Sequence, residues 1–368
     1  MTSWKIFALA GCGALSIMAS VAAQPADWQK TWDETLAAAR KEGKVVVLGS
    51  PDPIVRSAVI PAFSKRFSGI NIEYIATPSS GQAASRIRLE RSAGVYSVDV
   101  YLSGPDTSYT VLYPEKMIDP LKPLMILPEV TDPAKWKKGG LWFMDPEEQY
   151  LLRLFSTMQA SIFYNADKVK PEELRTAQDL LNPKWRGKIV TDPPTNATGT
   201  GGNQAANIYS QLGPEFVKKL YIDQKPTIST DRRQFTDWLA RGTQFICLTC
   251  RADDVSALQK DGFNLKQSYG LEGLQGRQSS SPFIVSVANK APNPNAMRVF
   301  VNWLATKEAL EIYSRGYGAA SLRTDADESF LDPNLVPKPG VSYPDDADYQ
   351  WRGVEKVEIG KKVRELLN

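Results

Sequence analysis

Histidine is absent from this chain of 368 residues, and cysteine occurs only three times. Without histidine the chain has no Ser-His-Asp triad, no His-Glu-x-x-His zinc site and no imidazole general base, which disfavours most hydrolase mechanisms. The net charge is also small, +3 from 44 basic and 41 acidic residues. Nucleic-acid-binding proteins carry a strong basic excess, so we expect no nucleic-acid partner.

An apolar run of the length that targeting segments require occurs at the N-terminus. Lys5 precedes an apolar stretch from Ile6 to Ala19, and Val21-Ala22-Ala23 fits the small-residue cleavage site of a secretory signal peptide. We therefore expect residues 1–23 to be removed and the mature protein to be periplasmic. Because Lys5 is the only charged residue in that segment, the mature chain would carry +2.

The cysteines allow several readings. Leu9-Ala10-Gly11-Cys12 resembles a lipoprotein box, but it leaves too short an apolar core ahead of Cys12, so cleavage after Ala23 is favoured.

Cys247 and Cys250 form the motif Cys-Leu-Thr-Cys. A thioredoxin-like pair would make the chain a thiol enzyme, whereas two thiols alone make a poor zinc site. We favour small buried residues or a structural bridge, which an oxidising compartment permits.

The stretch Lys44–Arg91 alternates apolar runs with helical patterns. Lys44–Leu48 contains a continuous apolar run, which is typical of a parallel strand buried on both faces. Ile70–Ala76 and, beyond this stretch, Val98–Leu102 are predicted to be the next two strands. Helical patterns lie between them, and the order strand, helix, strand, helix, strand is typical of a doubly wound α/β lobe. The chain length allows about two domains of roughly 150 residues.

Small polar residues follow each of these strands, where the next helix begins. Backbone N–H groups at a helix start have no partner within the helix and favour an anion or polar ligand. In open α/β sheets, ligands bind at the carboxyl ends of the strands. The candidate residues of the first half are Ser50, Asp52, Ser79, Ser80, Ser103 and Thr107. Helix capping is the alternative role for each serine and threonine.

The second half offers a similar corner at the most glycine-rich loop of the chain, Asp192–Gly202, directly before a helical pattern. Its spacing differs from the nucleotide-binding P-loop, and a flexible connector is the alternative. Arginines could add two-point contacts to a carboxylate or phosphate, although a single arginine is more often a surface residue. The candidates are Thr195, Asn196, Thr198, Thr200, Arg232 and Arg251.

Several fragments in a fixed order resemble the periplasmic solute-binding proteins of ABC importers, a class that includes ferric-ion, spermidine and hexose-phosphate binders. They are KVVVLGSPDPIVRSAVIPAFSKRF, SRIRLERSAGVYSVDVYLSG, SIFYNADKVKPEEL, NPKWRGKIVTDP, RRQFTDWLARG and ANKAPNPNAMRVFVNWLATKEALEIY. The resemblance implies a type II-like two-lobed α/β fold, each lobe a mainly parallel sheet flanked by helices. It divides the chain into residues 24–157 with 276–316, and residues 158–275 with 317–368. A monomer without cofactor or catalytic activity would then deliver a small molecule to an inner-membrane permease.

The chain departs from the iron binders of that class, which use two adjacent tyrosines and a histidine. The corresponding region here is Phe245–Cys250, with no tyrosine pair, and the chain has no histidine. We therefore expect the ligand to be a small organic anion of the carboxylate or phosph(on)ate type. An Fe(III) site using tyrosines such as Tyr164 or Tyr317 is the alternative, and a secreted thiol enzyme is a more distant one.

Overall fold

The computed structural model describes residues 28–77, 80–196 and 199–368, so the expected signal peptide and Cys12 lie outside the described part. The strands are β1 (Lys44–Gly49), β2 (Asn71–Ala76), β3 (Val100–Ser103), β4 (Ile118–Asp119), β5 (Trp142–Phe143), β6 (Leu152–Arg153), β7 (Thr157–Gln159), β8 (Ile162–Asn165), β9 (Ile189–Thr191), β10 (Thr227–Ile228), β11 (Ile246–Cys247), β12 (Leu265–Ser268), β13 (Gly270–Leu271), β14 (Leu274–Gln275), β15 (Arg277–Ser279) and β16 (Ile284–Ala288).

The α-helices are α1 (Trp28–Glu42), α2 (Ile60–Arg66), α3 (Ser80–Ser92), α4 (Pro105–Thr107), α5 (Pro128–Thr131), α6 (Thr200–Lys218), α7 (Arg232–Ala240), α8 (Ala252–Lys260), α9 (Pro294–Leu304), α10 (Lys307–Tyr317) and α11 (Lys356–Leu367). Wider π-helical turns adjoin some of them, at Val55–Val59 before α2 and at Trp351–Glu355 before α11. The sequence predicts a kink or restart at Pro61, and Pro61 lies where the π-helical turn Val55–Val59 changes to the α-helix α2.

The first lobe is built on a seven-stranded sheet with the order β2-β1-β3-β16-β6-β5, to which β4 adds by pairing with β16. Its β1, β2 and β3 are parallel, and the remaining pairs are antiparallel. Its core contains Phe63, whose ring packs edge-on against Phe300 and Trp303 with centroids 5.6 and 5.2 Å apart.

The second lobe has a five-stranded sheet with the order β10-β9-β11-β8-β12, in which β10, β9 and β11 are parallel. Strands β8 and β12 complete it in antiparallel fashion. The two-lobed α/β fold is therefore as predicted, but the sheets are more mixed than mainly parallel. The strands that enter each lobe from the other lobe run opposite to its parallel strands, because they arrive at the carboxyl ends.

Two short strands connect the lobes. Strand β7 links β6 to β8, β15 links the second lobe back to β16, and the two pair with Arg277 opposite Gln159 and Ser279 opposite Thr157. We call this pair the connecting ribbon. The lobe boundaries inferred from the sequence stay a prediction. That prediction assigns Ala319 and Leu322 to the second lobe, whereas both pack in the hydrophobic core of the first lobe.

The last part of the chain belongs to both lobes. Residues 344–368, here called the C-terminal segment, first run beside β15, where Gln278 N donates to Pro344 O and Asp346 N donates to Gln278 O, at 2.8 and 2.9 Å. Helix α11 then packs along α6, and Val363 joins the core of the second lobe. In the described part of the chain, every helix is too short or too polar to cross a membrane.

Candidate ligand-binding cleft

The parallel strands of the first lobe place the predicted corners at one edge. Strand β1 pairs with β2 from Lys44 opposite Asn71 to Gly49 opposite Ala76, and with β3 from Val47 opposite Val100. The chain segments that follow these strands therefore leave the sheet side by side. The second lobe repeats the arrangement with β9 between β10 and β11.

Both of these edges adjoin the connecting ribbon. Strand β16 is antiparallel to β3 with Ile284 opposite Ser103, so the chain coming from β15 enters the first sheet at the carboxyl end of β3. Strand β8 is antiparallel to β11 with Phe163 opposite Cys247, so the chain coming from β7 enters the second sheet at the carboxyl end of β11. The corners of the two lobes consequently flank the same ribbon.

The corner after β1 contains two of the predicted residues. Ser50 is exposed, and its carbonyl oxygen accepts the hydroxyl proton of Tyr74 at 2.6 Å. Asp52 accepts a hydrogen bond from Ile54 N at 2.8 Å, so it caps the following helical turn. Burial and then a hydrogen bond to Asp52 raise the pKa of Tyr317. This corner is therefore acidic and phenol-rich.

The other predicted residues of the first lobe are less available. Ser103 and Thr107 are both buried, and the Ser103 hydroxyl lies 2.9 Å from that of Ser108. The Ser103 hydroxyl is therefore satisfied within the corner. Ser80 begins α3, and Ser79 lies outside the described residues.

The corner after β9 is closed by its own aspartate. Asp192 Oδ2 accepts from Gly201 N at 2.9 Å, in the first turn of α6. Thr195 is half-buried, whereas Asn196 and Thr200 are exposed. Thr198 lies outside the described residues. The amide that we expected to receive a ligand is thus bound by a side chain of the same loop.

The two predicted arginines have different positions. Arg232 pairs with Asp254 through Nε and Oδ2 at 2.9 Å, in an exposed setting. The helix that it begins is capped by Asp231, which accepts from Arg233 N at 2.9 Å. Arg251 is exposed and directly precedes α8. Aspartates therefore accept hydrogen bonds from helix-start amides at three corners, through Asp52, Asp192 and Asp231. The expectation that the corner residues contact the ligand stays a prediction.

The cysteine pair supports the corner after β9. Cys247 and Cys250 form a disulfide and are both buried, which confirms the interpretation as a structural bridge. The loop that it closes contains Thr249, whose hydroxyl oxygen accepts from Asp192 N at 2.8 Å. Both thiols are consumed in the bridge, and its loop positions the aspartate that caps α6.

A cluster of buried basic residues, which the sequence did not indicate, lies where the connecting ribbon meets α6 and the C-terminal segment. We call it the basic cluster, and its members are Arg153, Arg277, Arg352 and Lys356, none more than 12% exposed. Their acidic neighbours are Asp106, Asp345 and Asp346. Four cations against three carboxylates leave one positive charge in excess.

Arg277 is the centre of this cluster. It extends from β15, and its Nη1 donates to Asn207 Oδ1 on α6 at 2.6 Å, while Trp351 packs against its guanidinium with 4.7 Å to the ring centroid. Its Nη2 lies 2.6 Å from Asp346 Oδ1, a charge contact without the alignment of a hydrogen bond. Burial lowers the pKa of Arg277, opposed by Asp346.

Several polar groups around Arg277 that have no hydrogen-bond partner in the described part of the chain are donors. They include Arg277 Nε, Asn207 Nδ2 and Trp351 Nε1, whereas Arg277 Nη2 is paired with Asp346. Both Arg277 and Asn207 are more than nine-tenths buried. Leaving a buried donor unpaired costs about 1–3 kcal/mol, so several together indicate a place for acceptor atoms.

Lys356 adds a cation to the same place. It is buried, and no carboxylate among the described residues lies within ion-pair distance of its ammonium group. Burial and then the charge of Arg352 lower the pKa of Lys356. A bound anion would relieve both effects, because it would supply the missing counter-charge.

Some of the residues that surround the basic cluster can be recognised in the sequence. Asn203 and Asn207 stand four residues apart on α6, directly after the glycine-rich loop, and therefore share one helix face. Asp345 and Asp346 stand in a proline- and aspartate-rich stretch that resembles a surface wrapping. Their pairing with arginines from β6 and β15 depends on the fold.

Comparison with known proteins places the chain among solute-binding proteins. The family model described as bacterial extracellular solute-binding protein matches residues 58–339. Iron uptake protein A1 of Synechocystis is 37% identical over 57 residues, a match that spans 16% of this chain and 13% of that relative.

Solved structures share the fold at low identity. Trichodesmium FutA (IdiA), in complex with iron and citrate ligands, has a TM-score of 0.62 at 17% identity, over 88% of this chain and 98% of that one. AfuA of Actinobacillus pleuropneumoniae, with bound fructose-6-phosphate, has a TM-score of 0.58 at 18% identity, over 88% and 97%. These likenesses concern the fold, and the proteins that share it hold different ligands.

Proposed function

We propose a function from one established premise: the chain belongs to the bacterial extracellular solute-binding protein family. We propose that it binds a small organic anion, a carboxylate or a phosph(on)ate compound, between its two lobes and delivers it to an inner-membrane ABC permease. It acts as a binding protein without catalytic activity.

The observation that carries this proposal is the set of unpartnered donors in the basic cluster. Arg277 Nε, Asn207 Nδ2 and Trp351 Nε1 have no acceptor in the described chain, and Lys356 forms no ion pair with a described carboxylate. Acceptor oxygens of a carboxylate or phosphate would satisfy these groups, and a guanidinium binds such oxygens through two parallel hydrogen bonds. A cation or an apolar ligand would leave them unpaired.

The corner residues would form the rim of the same cleft. Ser50, Thr200 and Arg251 are exposed at the carboxyl edges of the two sheets, and Thr195 and Asn196 lie in the loop that enters α6. We propose that they contact the polar body of the ligand, whereas the basic cluster binds its acidic group. Ser103 and Thr107 would act only as structural residues, because both are buried within their corner.

Isothermal titration calorimetry with the mature protein tests the proposal. Citrate, inorganic phosphate and methylphosphonate should bind, whereas spermidine and glucose should not. Arg277→Met should weaken anion binding by at least about tenfold, because it removes a charge-assisted contact worth roughly 1.5–3 kcal/mol. Arg241→Met is the control, since Arg241 pairs with Asp237 on an exposed helix face. Binding of only the polyamine or the sugar would refute the proposal.

Ferric iron is a second candidate, favoured by the corner after β1. Asp52 accepts a hydrogen bond from Tyr317, and after burial it is the charge that raises the pKa of Tyr74. A carboxylate with two phenols could supply hard oxygen ligands to Fe³⁺. Tyr164, the other tyrosine considered from the sequence, lies on β8 of the second lobe, against its core.

A visible charge-transfer band on addition of ferric citrate distinguishes this candidate. A band that disappears in Tyr317→Phe would support iron binding at this corner. Citrate binding without colour, lost in Arg277→Met, would support the organic anion instead.

We further propose that residues 1–23 direct the chain to the periplasm, are removed there, and leave a monomer. The disulfide supports this location, because such bridges persist in oxidising compartments. Mass measurement of the secreted protein should give a chain that begins at Gln24 and therefore lacks Cys12. A mass corresponding to an acylated cysteine would contradict the proposed cleavage site.

A further inference from the structure

The two adjacent aspartates of the C-terminal segment are held very differently. Asp345 Oδ1 accepts from Ala347 N at 2.9 Å, and its other oxygen pairs with Arg153, which is fully buried and also donates to Phe155 O at 2.7 Å. The guanidinium of Arg153 packs over Trp142 at 4.4 Å. Asp345 is therefore fixed from several sides and anchors the segment to the first lobe.

The carboxylate of Asp346, in contrast, contacts only guanidinium groups among the described residues. Its contacts are charge contacts, 2.6 Å to Arg277 Nη2 and 3.8 Å to Arg352 Nη1, and its side chain is 21% exposed. Its backbone is secured separately by the hydrogen bond to Gln278 O. Only these contacts to arginines hold the carboxylate, so it can exchange with another acceptor at Arg277 while the main chain stays in place.

We propose that Asp346 is an internal substitute for the acidic group of the ligand, which occupies Arg277 while the cleft is empty and is displaced when an anion binds. This inference rests on the proposed function and assigns a selective role to one residue of that site. A buried guanidinium without a counter-charge is costly, so a nearby carboxylate stabilises the empty protein. The ligand must then compete with that carboxylate.

The competition has a consequence for specificity. The binding free energy that an anion gains at Arg277 is reduced by the loss of the contact between Arg277 and Asp346. A single weakly binding carboxylate therefore gains little binding free energy there. A group that also reaches Asn207 Nδ2 and Trp351 Nε1, which Asp346 leaves unpaired, gains more. The protein should therefore prefer phosphate-type and polycarboxylate ligands over simple monocarboxylates such as acetate.

Titration of Asp346→Asn with citrate, inorganic phosphate and acetate tests this role. The amide removes the competing charge and raises the excess positive charge of the cluster from one to two. We expect affinity for citrate and phosphate to rise about tenfold, and acetate binding to become measurable. The matched control is Asp345→Asn, which removes the neighbouring anchor and should lower thermal stability without raising affinity.

The outcomes separate the two proposals. If the wild-type protein binds citrate and Arg277→Met does not, but Asp346→Asn binds no more tightly than wild type, the substitute role is overturned and the anion site stands. If neither wild-type protein nor Asp346→Asn binds any of the three anions while circular dichroism shows both folded, the proposed function fails as well. Equal gains in Asp345→Asn and Asp346→Asn would also overturn the specific role, since they would reflect charge alone.

Discussion

Arg352 and Asp106 join the C-terminal segment to the first lobe through two parallel contacts. Arg352 Nε lies 2.8 Å from Asp106 Oδ1, and Nη2 lies 2.9 Å from Oδ2. Asp106 stands at the start of α4, at the corner after β3. Because α11 is packed on the second lobe, this pair belongs to a link between the lobes that is separate from the connecting ribbon.

We expect Arg352→Gln and Asp106→Asn to be coupled in stability. The Asp106 side chain is 50% exposed, so solvent screening limits the coupling free energy to about 1 kcal/mol. Urea unfolding of the two single variants and the double variant measures it. Strictly additive losses would show that the two contacts contribute nothing as a pair.

This coupling should depend on pH. Burial opposes ionisation of Asp106, but the hydrogen bond and charge of Arg352 outweigh it, so the pKa of Asp106 is lower than usual. The contribution is therefore complete above the ordinary pKa of an aspartate and is lost as pH falls through the lowered pKa. Repeating the urea measurements on the single and double variants at about pH 7 and about pH 3 should show a smaller coupling at the lower pH.

Anion binding should weaken in alkaline solution because of Lys356. Its pKa is below the usual value in the empty protein, and an anion bound beside it would raise that pKa. Affinity is then complete below the lowered pKa and falls as pH rises above it. Lys356→Gln should bind more weakly and lose this part of the pH dependence. Calorimetry between about pH 7 and about pH 10 provides the measurement, and an unchanged slope in the variant would contradict the assignment.

Gly201 is needed for the close approach of α6 to the loop before it. A Cβ atom there would lie 2.3 Å from Asp192 O and 2.4 Å from Pro193 O, far inside normal contact. Gly201→Ala should therefore cost about 1–3 kcal/mol and displace the α6 start, with weaker ligand binding. Gly353→Ala is the control, because a Cβ there has nothing within 4 Å. Equal urea midpoints for the two variants would contradict this view.

The disulfide should stabilise both the second lobe and its corner. Replacing Cys247 and Cys250 by serine opens a very short loop, for which the chain-entropy relation gives about 2 kcal/mol. Thr249→Val removes only the contact to Asp192 and leaves the bridge intact. If the bridge acts on the site through Thr249, both changes should lower anion affinity, while only the double serine variant should unfold at clearly lower urea. Unchanged affinity in both would limit the bridge to stability.

The lobes follow closely from sequence patterns, whereas the basic cluster does not. Buried parallel strands such as β1 and β9 appear as continuous apolar runs, because both faces of the sheet are covered. The turns after them are equally visible, since serine, threonine, aspartate and glycine begin helices. These are local signals, and the fold of each lobe is largely the sum of them.

The sequence indicates helix starts as candidate positions for a site, but not the groups that surround them. The sequence identifies helix starts, but it does not tell whether an aspartate such as Asp192 already occupies the amide. It also separates Arg277 from Asn207 by 70 positions and from Trp351 by 74, so their meeting depends on the crossings between lobes. Isolated arginines are usually surface residues, and only tertiary burial distinguishes Arg153 and Arg277 from the others.

The junction between the two anchored parts of the C-terminal segment provides a position for an optical reporter. Val354 is 47% exposed and lies between Arg352, paired with the first lobe, and α11, packed on the second. Since both described cysteines are bridged, a thiol introduced by Val354→Cys could be labelled selectively with a fluorescent dye. Such a dye would sense any change in the relative position of the halves without contacting the solute, which gives transport studies a real-time signal.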